Sequence, residues 1–412
     1  MTSVSLPEIT SQGAQALSPR QVTLILFALT LGGFAIGTGE FASMGLMPNM
    51  VASLGVTEPQ IGHLISAYAL GVVIGAPLLA ILGAGWKRKT LLLSLIGFYA
   101  LGNLASALGP TYRDLLLFRF IAGLPHGAYF GVAALTAVAI SPPHRRGRAV
   151  SMVMLGLTLA ILIGNPLATW AGQVINWRWI YAAVAIIAVT TAVLLAVWLP
   201  AHVDGPQPKP LAELRAFNRT PVWQALGIGA IGFAGMFAVF SYLAPTMLEV
   251  TGVSAAWIPL GLAGFGVGGV VGNFVGGWLY DHYKLRGVWV VLAWAVAALL
   301  LFPLMAQSLP TILLATVAIG LMGGLGPILQ SHLMDVAGDA QTLAAASHHA
   351  AFNTANALGP WLGGMAITAG YGWTSTGYVG AATAVVGLAL YAWARRTALA
   401  AARAQTLPAS IG

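Results

Sequence analysis

The chain contains no cysteine, which excludes disulfides, thiolate metal sites and thiol nucleophiles. It is also poor in charge. Asp, Glu, Lys and Arg make up only 7% of its 412 residues, against roughly 25% in soluble domains. The ten acidic residues fall nearly all outside the long apolar runs, so no cluster of acids, histidines or a nucleophile gathers at one depth for membrane-embedded catalysis. No Gly-Lys-Ser/Thr loop is present to hold nucleotide phosphates, which excludes an ATP-driven pump.

What the chain has is apolar sequence, 58% of all residues. Runs such as Val22 to Gly45, Leu91 to Leu108 and Val288 to Ala306 are each close to the ~20 residues that cross the hydrocarbon as helix. They lack the strict alternation of barrel strands. The expected fold is an all-α integral membrane protein. Twelve candidate helices, numbered 1 to 12 below, cover 21–47, 60–82, 90–108, 113–140, 149–172, 178–199, 221–248, 256–279, 286–306, 310–333, 342–369 and 374–395.

Basic residues orient this scaffold. Fifteen of the 18 fall before helix 1 or in alternate gaps: Arg20; Lys87, Arg88 and Lys89; Arg145, Arg146 and Arg148; Lys209, Arg215 and Arg219; Lys284 and Arg286; Arg395, Arg396 and Arg403. The opposite gaps hold only Arg113 and Arg178. By the positive-inside rule both termini are cytoplasmic. The gap after helix 10 carries Asp335 and Asp339 and no base, which leaves the orientation intact because acids count little toward it. The net charge of +8 is spread over short loops rather than one face, so no nucleic-acid partner is expected.

The polar stretch from Ala201 to Thr220 divides the chain. The expected organisation is a cytoplasmic tail (1–20), a six-helix bundle (21–199), a cytoplasmic linker (200–220), a second six-helix bundle (221–396) and a cytoplasmic tail (397–412). The halves read as pseudo-symmetric. Gly75-Ala76-Pro77 in helix 2, Gly164-Asn165-Pro166 in helix 5, Gly272-Asn273 in helix 8 and Gly359-Pro360 in helix 11 place a glycine-containing break in every third helix. Small residues let membrane helices approach closely.

Two charges lie well inside candidate helices, Glu40 in helix 1 and Arg119 in helix 4. Such groups cost about 2.5–3.5 kcal/mol or more each, so they pair or line a watered cavity. Counted from the outer ends at ~1.5 Å per residue, both lie roughly 9–12 Å deep, which permits a pair. Two readings stand: Glu40 exchanges protons under the influence of Arg119, or the two form a permanent structural tie. Neutral polar residues in the spans are candidates for a substrate cavity or for interhelical hydrogen bonds: His126, Asn165, Asn273, Gln330, His349, Asn353 and Asn356. His349, Asn353 and Asn356 follow i, i+4, i+7 and share one face of helix 11. That face is too polar for lipid. His348 and His349 diverge by about 100° on the helix and do not make a metal site. Tryptophans near the helix ends, such as Trp177, Trp257 and Trp373, read as interfacial anchors.

Four segments carry a family resemblance: Gly37-Thr38-Gly39-Glu40-Phe41 with Met44 to Pro48; Arg119 to Gly131, with Pro125-His126-Gly127; Gly156 to Pro166; and Ala351-Phe352-Asn353 with Asn356 to Gly359. In these the chain resembles the major facilitator superfamily, particularly its twelve-helix drug:proton antiporter branch of arabinose-efflux and purine-efflux type. The resemblance implies two bundles around a mid-membrane cavity and alternating access. It further implies proton-coupled efflux of a small molecule such as a drug, sugar or nucleoside, with Glu40 and Arg119 in coupling. Proton-coupled import, facilitated diffusion, and more remotely an enzyme or receptor are the alternatives.

The superfamily's loop motif survives after helix 8 as Gly277, Asp281 and Arg286, with His282 in place of an arginine. After helix 2 only Arg88 and Lys89 remain, Ala80 and Ala84 standing where glycine and aspartate are usual. These residues are the expected gates, with Gly164 and Pro166 as the flexible point of helix 5. Ala160 and Ala168 occupy positions where that helix's antiporter motif often has glycine. The expected setting is a bacterial inner membrane. The expected partners are a small-molecule substrate, protons and the lipid bilayer, with the chain a monomer, no cofactor, no metal, and the proton gradient as energy source.

Overall fold

The computed structural model describes residues 17–83, 85–142, 145–201, 203, 218–337 and 341–406. Most of the expected linker and much of both tails lie outside these residues. Among the described residues every regular element is helical. Ten stretches are long and apolar enough to span a membrane, one of which, Ala255–Met305, holds two helices. With Gln341–Thr368 they make the twelve expected.

Helix 1 (Pro19–Gly45) starts where Ser18 and Gln21 form a reciprocal capping box and Pro19 supplies a preset φ. Helix 2 (Glu58–Leu82) starts the same way at Thr57 and Gln60, and helix 4 at Thr111 and Asp114. Helices 3 (Arg88–Leu108), 6 (Arg178–Trp198), 8 (Ile258–Tyr283) and 9 (Gly287–Met305) are single rods. Helix 12 (Ser375–Thr406) runs past its expected end, because the alanine-rich stretch after Arg396 favours helix.

Other helices are interrupted, and those of helices 4 and 10 and the ends of helices 1 and 7 match between halves. Helix 4 is split into Tyr112–Gly123 and His126–Ala139, since Pro125 cannot donate to the preceding turn. Helix 10, its counterpart, is Leu309–Gly320 and Leu325–Ala337 joined by a 3₁₀ turn. Helix 1 is followed by a short helix, Met47–Leu54, and helix 7 (Thr220–Ser241) by Leu243–Glu249. Helix 5 (Arg146–Val174) widens to a π-helix at Ala160–Gly164, immediately before the sequence Asn165-Pro166.

The glycines of helices 2, 8 and 11 do not break them; Pro77 and Pro360 lie inside continuous helices. Their use is close packing. Gly71 and Gly75 of helix 2 press on the Phe120 and Leu124 carbonyls of helix 4. Gly268 and Gly272 of helix 8 press in the same way on Val317 and Leu321 of helix 10. The repeated spacing of four, on equivalent helix pairs, is the internal symmetry at atomic level. Lipid gives no hydrophobic drive for helix association, so backbone approach and dispersion take its place.

Loop bases also finish helices. Lys89 Nζ donates to the Ala196 and Leu199 carbonyls at the end of helix 6, at 2.6 Å each. Arg178 Nη1 donates to Ala107 and Gly109 at the end of helix 3, and Arg219 Nη1 to Val336 on helix 10. Cations at helix C-termini satisfy carbonyls that the helix leaves open.

The halves meet along helix pairs 2–11, 1–7 and 5–8. A Cβ at Gly266 of helix 8 would lie 2.8 Å from Leu162 Cα of helix 5. Ser66 of helix 2 donates to the Ala357 carbonyl of helix 11 at 2.8 Å. Gln173 of helix 5 donates to Ala255, before helix 8, at 2.8 Å.

The packing makes a testable distinction. A Cβ at Gly272 would come within 2.6 Å of the Leu321 carbonyl, whereas one at Gly97 meets nothing within 4 Å. Gly272→Val is expected to destabilise the purified protein by about 1–3 kcal/mol, and Gly97→Ala to change stability by no more than about 1 kcal/mol. Thermal unfolding in detergent measures both; equal effects would contradict the packing described.

Candidate functional site

Glycine gives helix 1 a face onto which other helices can reach. Gly32 and Gly39 are seven apart, and against them lie the hydroxyls of Tyr129 and Tyr99. Tyr129 donates to the Leu29 carbonyl at 3.0 Å, and Tyr99 to those of Ala35 and Ile36 at 3.2 and 3.1 Å. On the next turn Arg119 Nη2 donates to the Gly39 carbonyl at 2.8 Å and, more weakly, to that of Glu40 at 3.5 Å. The guanidinium is flanked by the rings of Tyr68, 4.4 Å away, and Tyr181, 5.0 Å away. Ser43, one turn beyond Gly39, bonds the Tyr181 hydroxyl at 2.5 Å. Arg119 is fully buried, and its Nε and Nη1 have no hydrogen-bond partner.

Glu40 is 1% exposed, and among the described residues it is the one buried carboxyl group. It and Arg119 are neighbours, as their matched depths permit, yet the guanidinium bonds the main chain of helix 1 rather than the carboxyl. The two carboxyl oxygens face different halves. Oε1 accepts from Asn356 Nδ2 of helix 11 at 2.8 Å. Oε2 has no hydrogen-bond partner and lies 3.9 Å from His126 Nδ1 on helix 4. His126, seven residues beyond Arg119 and on the same face, also meets the Tyr68 hydroxyl at 3.0 Å through Nδ1. Tyr68 thus touches both the imidazole and the guanidinium.

The face of helix 11 singled out by spacing turns toward the first half. His349 stacks on Phe130 of helix 4 with centroids 5.9 Å apart, and Asn356 reaches Glu40. Asn353 lies between them, its Nδ2 bonded to the His349 carbonyl at 3.1 Å and its Oδ1 without a partner. Beside Glu40, Phe41 stacks on Phe237 of helix 7 and meets Phe240 at a tilt, with centroids 6.4 and 5.8 Å apart.

The other candidates are dispersed. Asn165 is fully buried beside the π-segment with neither amide atom bonded, and Thr38 Oγ1, against Gly164, is also unpartnered. Pro166 is half-buried. Asn273 is exposed, seven residues along helix 8 from the Gly266 contact, and Gln330 is half-buried on helix 10. Gly277 is half-buried, and Asp281 and Arg286 are exposed. Tyr280 instead bonds the carboxyl of Asp335, and Lys284, at a left-handed φ of 50°, lies 4.7 Å over the Tyr280 ring. Arg88 is half-buried at the start of helix 3, and Lys89 caps helix 6. Sequence reasoning missed Tyr68, Tyr99, Tyr181 and Ser43; the available signal was hydroxyl-bearing residues inside apolar runs.

A family model described as Major Facilitator Superfamily matches residues 29–292 and 226–409. The chain belongs to the Major Facilitator Superfamily. Within it, the chain is 37% identical over 369 residues to the inner membrane transport protein YdhP of Escherichia coli K12, covering 89% of this chain and 94% of that one. It is 31% identical over 380 residues to a chloramphenicol resistance protein of Streptomyces lividans, covering 89% and 94%. Among solved structures, a bacterial homolog to the human lysosomal transporter Spinster, inward-facing and unoccupied, matches with a TM-score of 0.75 at 17% identity, covering 92% of this chain and 98% of that one. The chain is accordingly a multi-pass inner-membrane transporter and not an enzyme, with a small-molecule substrate and the lipid bilayer as partners.

Two substitutions separate the contacts of Tyr68. Tyr68→Phe keeps the ring over Arg119 and loses the bond to His126, with an expected cost of about 0.5–1.5 kcal/mol. Tyr68→Ala loses both, at about 3–5 kcal/mol. Unfolding curves of the purified variants measure the difference.

Proposed function

We propose that this superfamily member is a proton-coupled exporter, working by alternating access, in which Glu40 carries the proton. The observation that carries this reading is the Glu40 carboxyl, buried at the meeting of the two halves with one oxygen unpartnered. An acid that only held helices together would have both oxygens engaged, since an unsatisfied buried oxygen costs about 1–3 kcal/mol. An acid that must gain and lose a proton needs one free. Arg119 sets the electrostatic environment from its anchored position.

The basic loops put both termini in the cytoplasm. The end of helix 1 near Leu46 is then the outer end, and segments 21–199 and 221–396 are the rocking bundles. The contacts from Glu40, Phe41, Ser66 and Gln173 to the second half lie between Glu40 and that outer end, and the Phe130–His349 stack lies on its inner side; with most of these contacts outward, we take this as the inward-facing member of the cycle. Arg88, Lys89, Asp281 and Arg286 belong to the inner gate, and the π-segment before Asn165 and Pro166 is the bending point. His126, Asn165, Asn273, Gln330, His349, Asn353 and Asn356 border the substrate path. The chain works as a monomer on a small organic molecule; the chloramphenicol-resistance relative makes chloramphenicol the first probe, beside a pentose and a nucleoside.

Purified protein in liposomes with an imposed pH gradient tests this. The native chain is expected to move the probe opposite to protons, and Glu40→Gln to lose at least about tenfold of the gradient-driven rate while still exchanging probe across the membrane. Movement with the protons would overturn export, and undiminished drive in Glu40→Gln would overturn the role of Glu40.

A further inference from the structure

A proton can bias a carrier toward one of its two conformations only if it binds them with different affinity. The groups around Glu40 divide by which half they belong to. Arg119 and His126 (helix 4), Tyr68 (helix 2), Tyr99 (helix 3) and Tyr181 (helix 6) are all carried by the same six helices as Glu40, and they are tied to it or to one another. When the bundles rock as bodies, these neighbours move with Glu40 and act on it equally in both states. Besides water, admitted as the halves part, only what reaches it from the other half can alternate. Helix 11 carries one titratable group on this face, His349, which packs on Phe130; the direct contact is Asn356, whose Nδ2 donates to Glu40 Oε1 at 2.8 Å between side chains at most 1% exposed.

Resting on the reading of Glu40 as the proton carrier, the geometry points to Asn356 as the residue that makes proton affinity alternate: its amide engages Glu40 only while the outer end is closed, and there favours release of the proton inward. An amide donor is worth more to a carboxylate than to a neutral acid, because charge-assisted bonds are about twice as strong. The bond therefore offsets part of the cost of ionising Glu40 in a dry site. When the outer end opens, helix 11 withdraws, the donor is lost, and Glu40 reloads from outside. Asn356 is in this sense a positioning residue whose partner is the proton site.

The test needs no substrate. Ser53 and Ser254 are exposed near the outer end, one in each half, and in a chain without cysteine S53C and S254C give two unique sites for spin labels. The separation of the labels in nanodiscs, measured across a pH series, reports the ratio of closed to open outer end. Asn356→Leu keeps the volume and removes the donor. It is expected to leave the ratio near native at acid pH, where Glu40 is neutral, and to lower it about tenfold or more at alkaline pH, where the charge loses its partner. Asn356→Gln, which retains a donor, should recover part of the loss.

A reduction of the same size at every pH would make Asn356 plain adhesive between the halves and overturn the inference, as would no reduction at all. Should Asn356→Leu fail to fold, Asn356→Ala, which removes the donor and adds no titratable group, is read by the same criteria. In a Glu40→Gln background the effect of Asn356→Leu should become independent of pH. If pH dependence persisted there, the titrating group would not be Glu40, and the underlying reading would fail rather than the assignment of Asn356.

Discussion

A carboxyl and a guanidinium inside hydrocarbon are the constraint around which the rest of this molecule is arranged. Neither is tolerated there without partners, and the chain provides them from six helices. Helix 1 presents its carbonyls to the guanidinium, helices 2 and 6 their tyrosine rings, helix 3 a hydroxyl to the same backbone, helix 4 the guanidinium and an imidazole, and helix 11 an amide. Much of the polar inventory of a chain with 7% charged residues is spent within a few ångströms of Glu40.

That concentration depends on backbones coming close, which is where the glycines act. With Gly71, Gly75, Gly268 and Gly272 against the carbonyls of helices 4 and 10, each half is welded internally at matching points. The halves in turn meet chiefly along the packing of helix 2 on helix 11, with a few side-chain bonds, a phenylalanine stack and the Gly266 approach beside it.

The scaffold was largely legible from residues alone, because hydrophobic runs of the right length and the alternation of basic loops are direct imprints of a bilayer. Glu40 and Arg119 stood out for the same reason, as charges where the solvent permits none. The polar face of helix 11 followed from its spacing. Other parts were hidden. Tyr68, Tyr99 and Tyr181 sit in apolar runs, where an aromatic ring reads as lipid-facing or core. The partner of Glu40 lies 316 residues away, and no periodicity within one helix can name a residue on another. The bonds of Lys89 to the end of helix 6 were hidden as well, since helix-end carbonyls have no letter in the sequence. The glycines of helices 2, 8 and 11 were read as breaks and prove to be contacts, a distinction that depends on the neighbouring helix.

The anchoring of Arg119 on the Gly39 and Glu40 carbonyls separates two things usually written in the same atoms. A main-chain oxygen is present whatever side chain the codon specifies and whatever its state of protonation. The hold of helix 4 on helix 1 therefore needs no bond to the Glu40 carboxyl. The side chain at this position can be replaced in the course of evolution without removing the atoms of the joint beside it, so chemistry and architecture here are written in separate atoms.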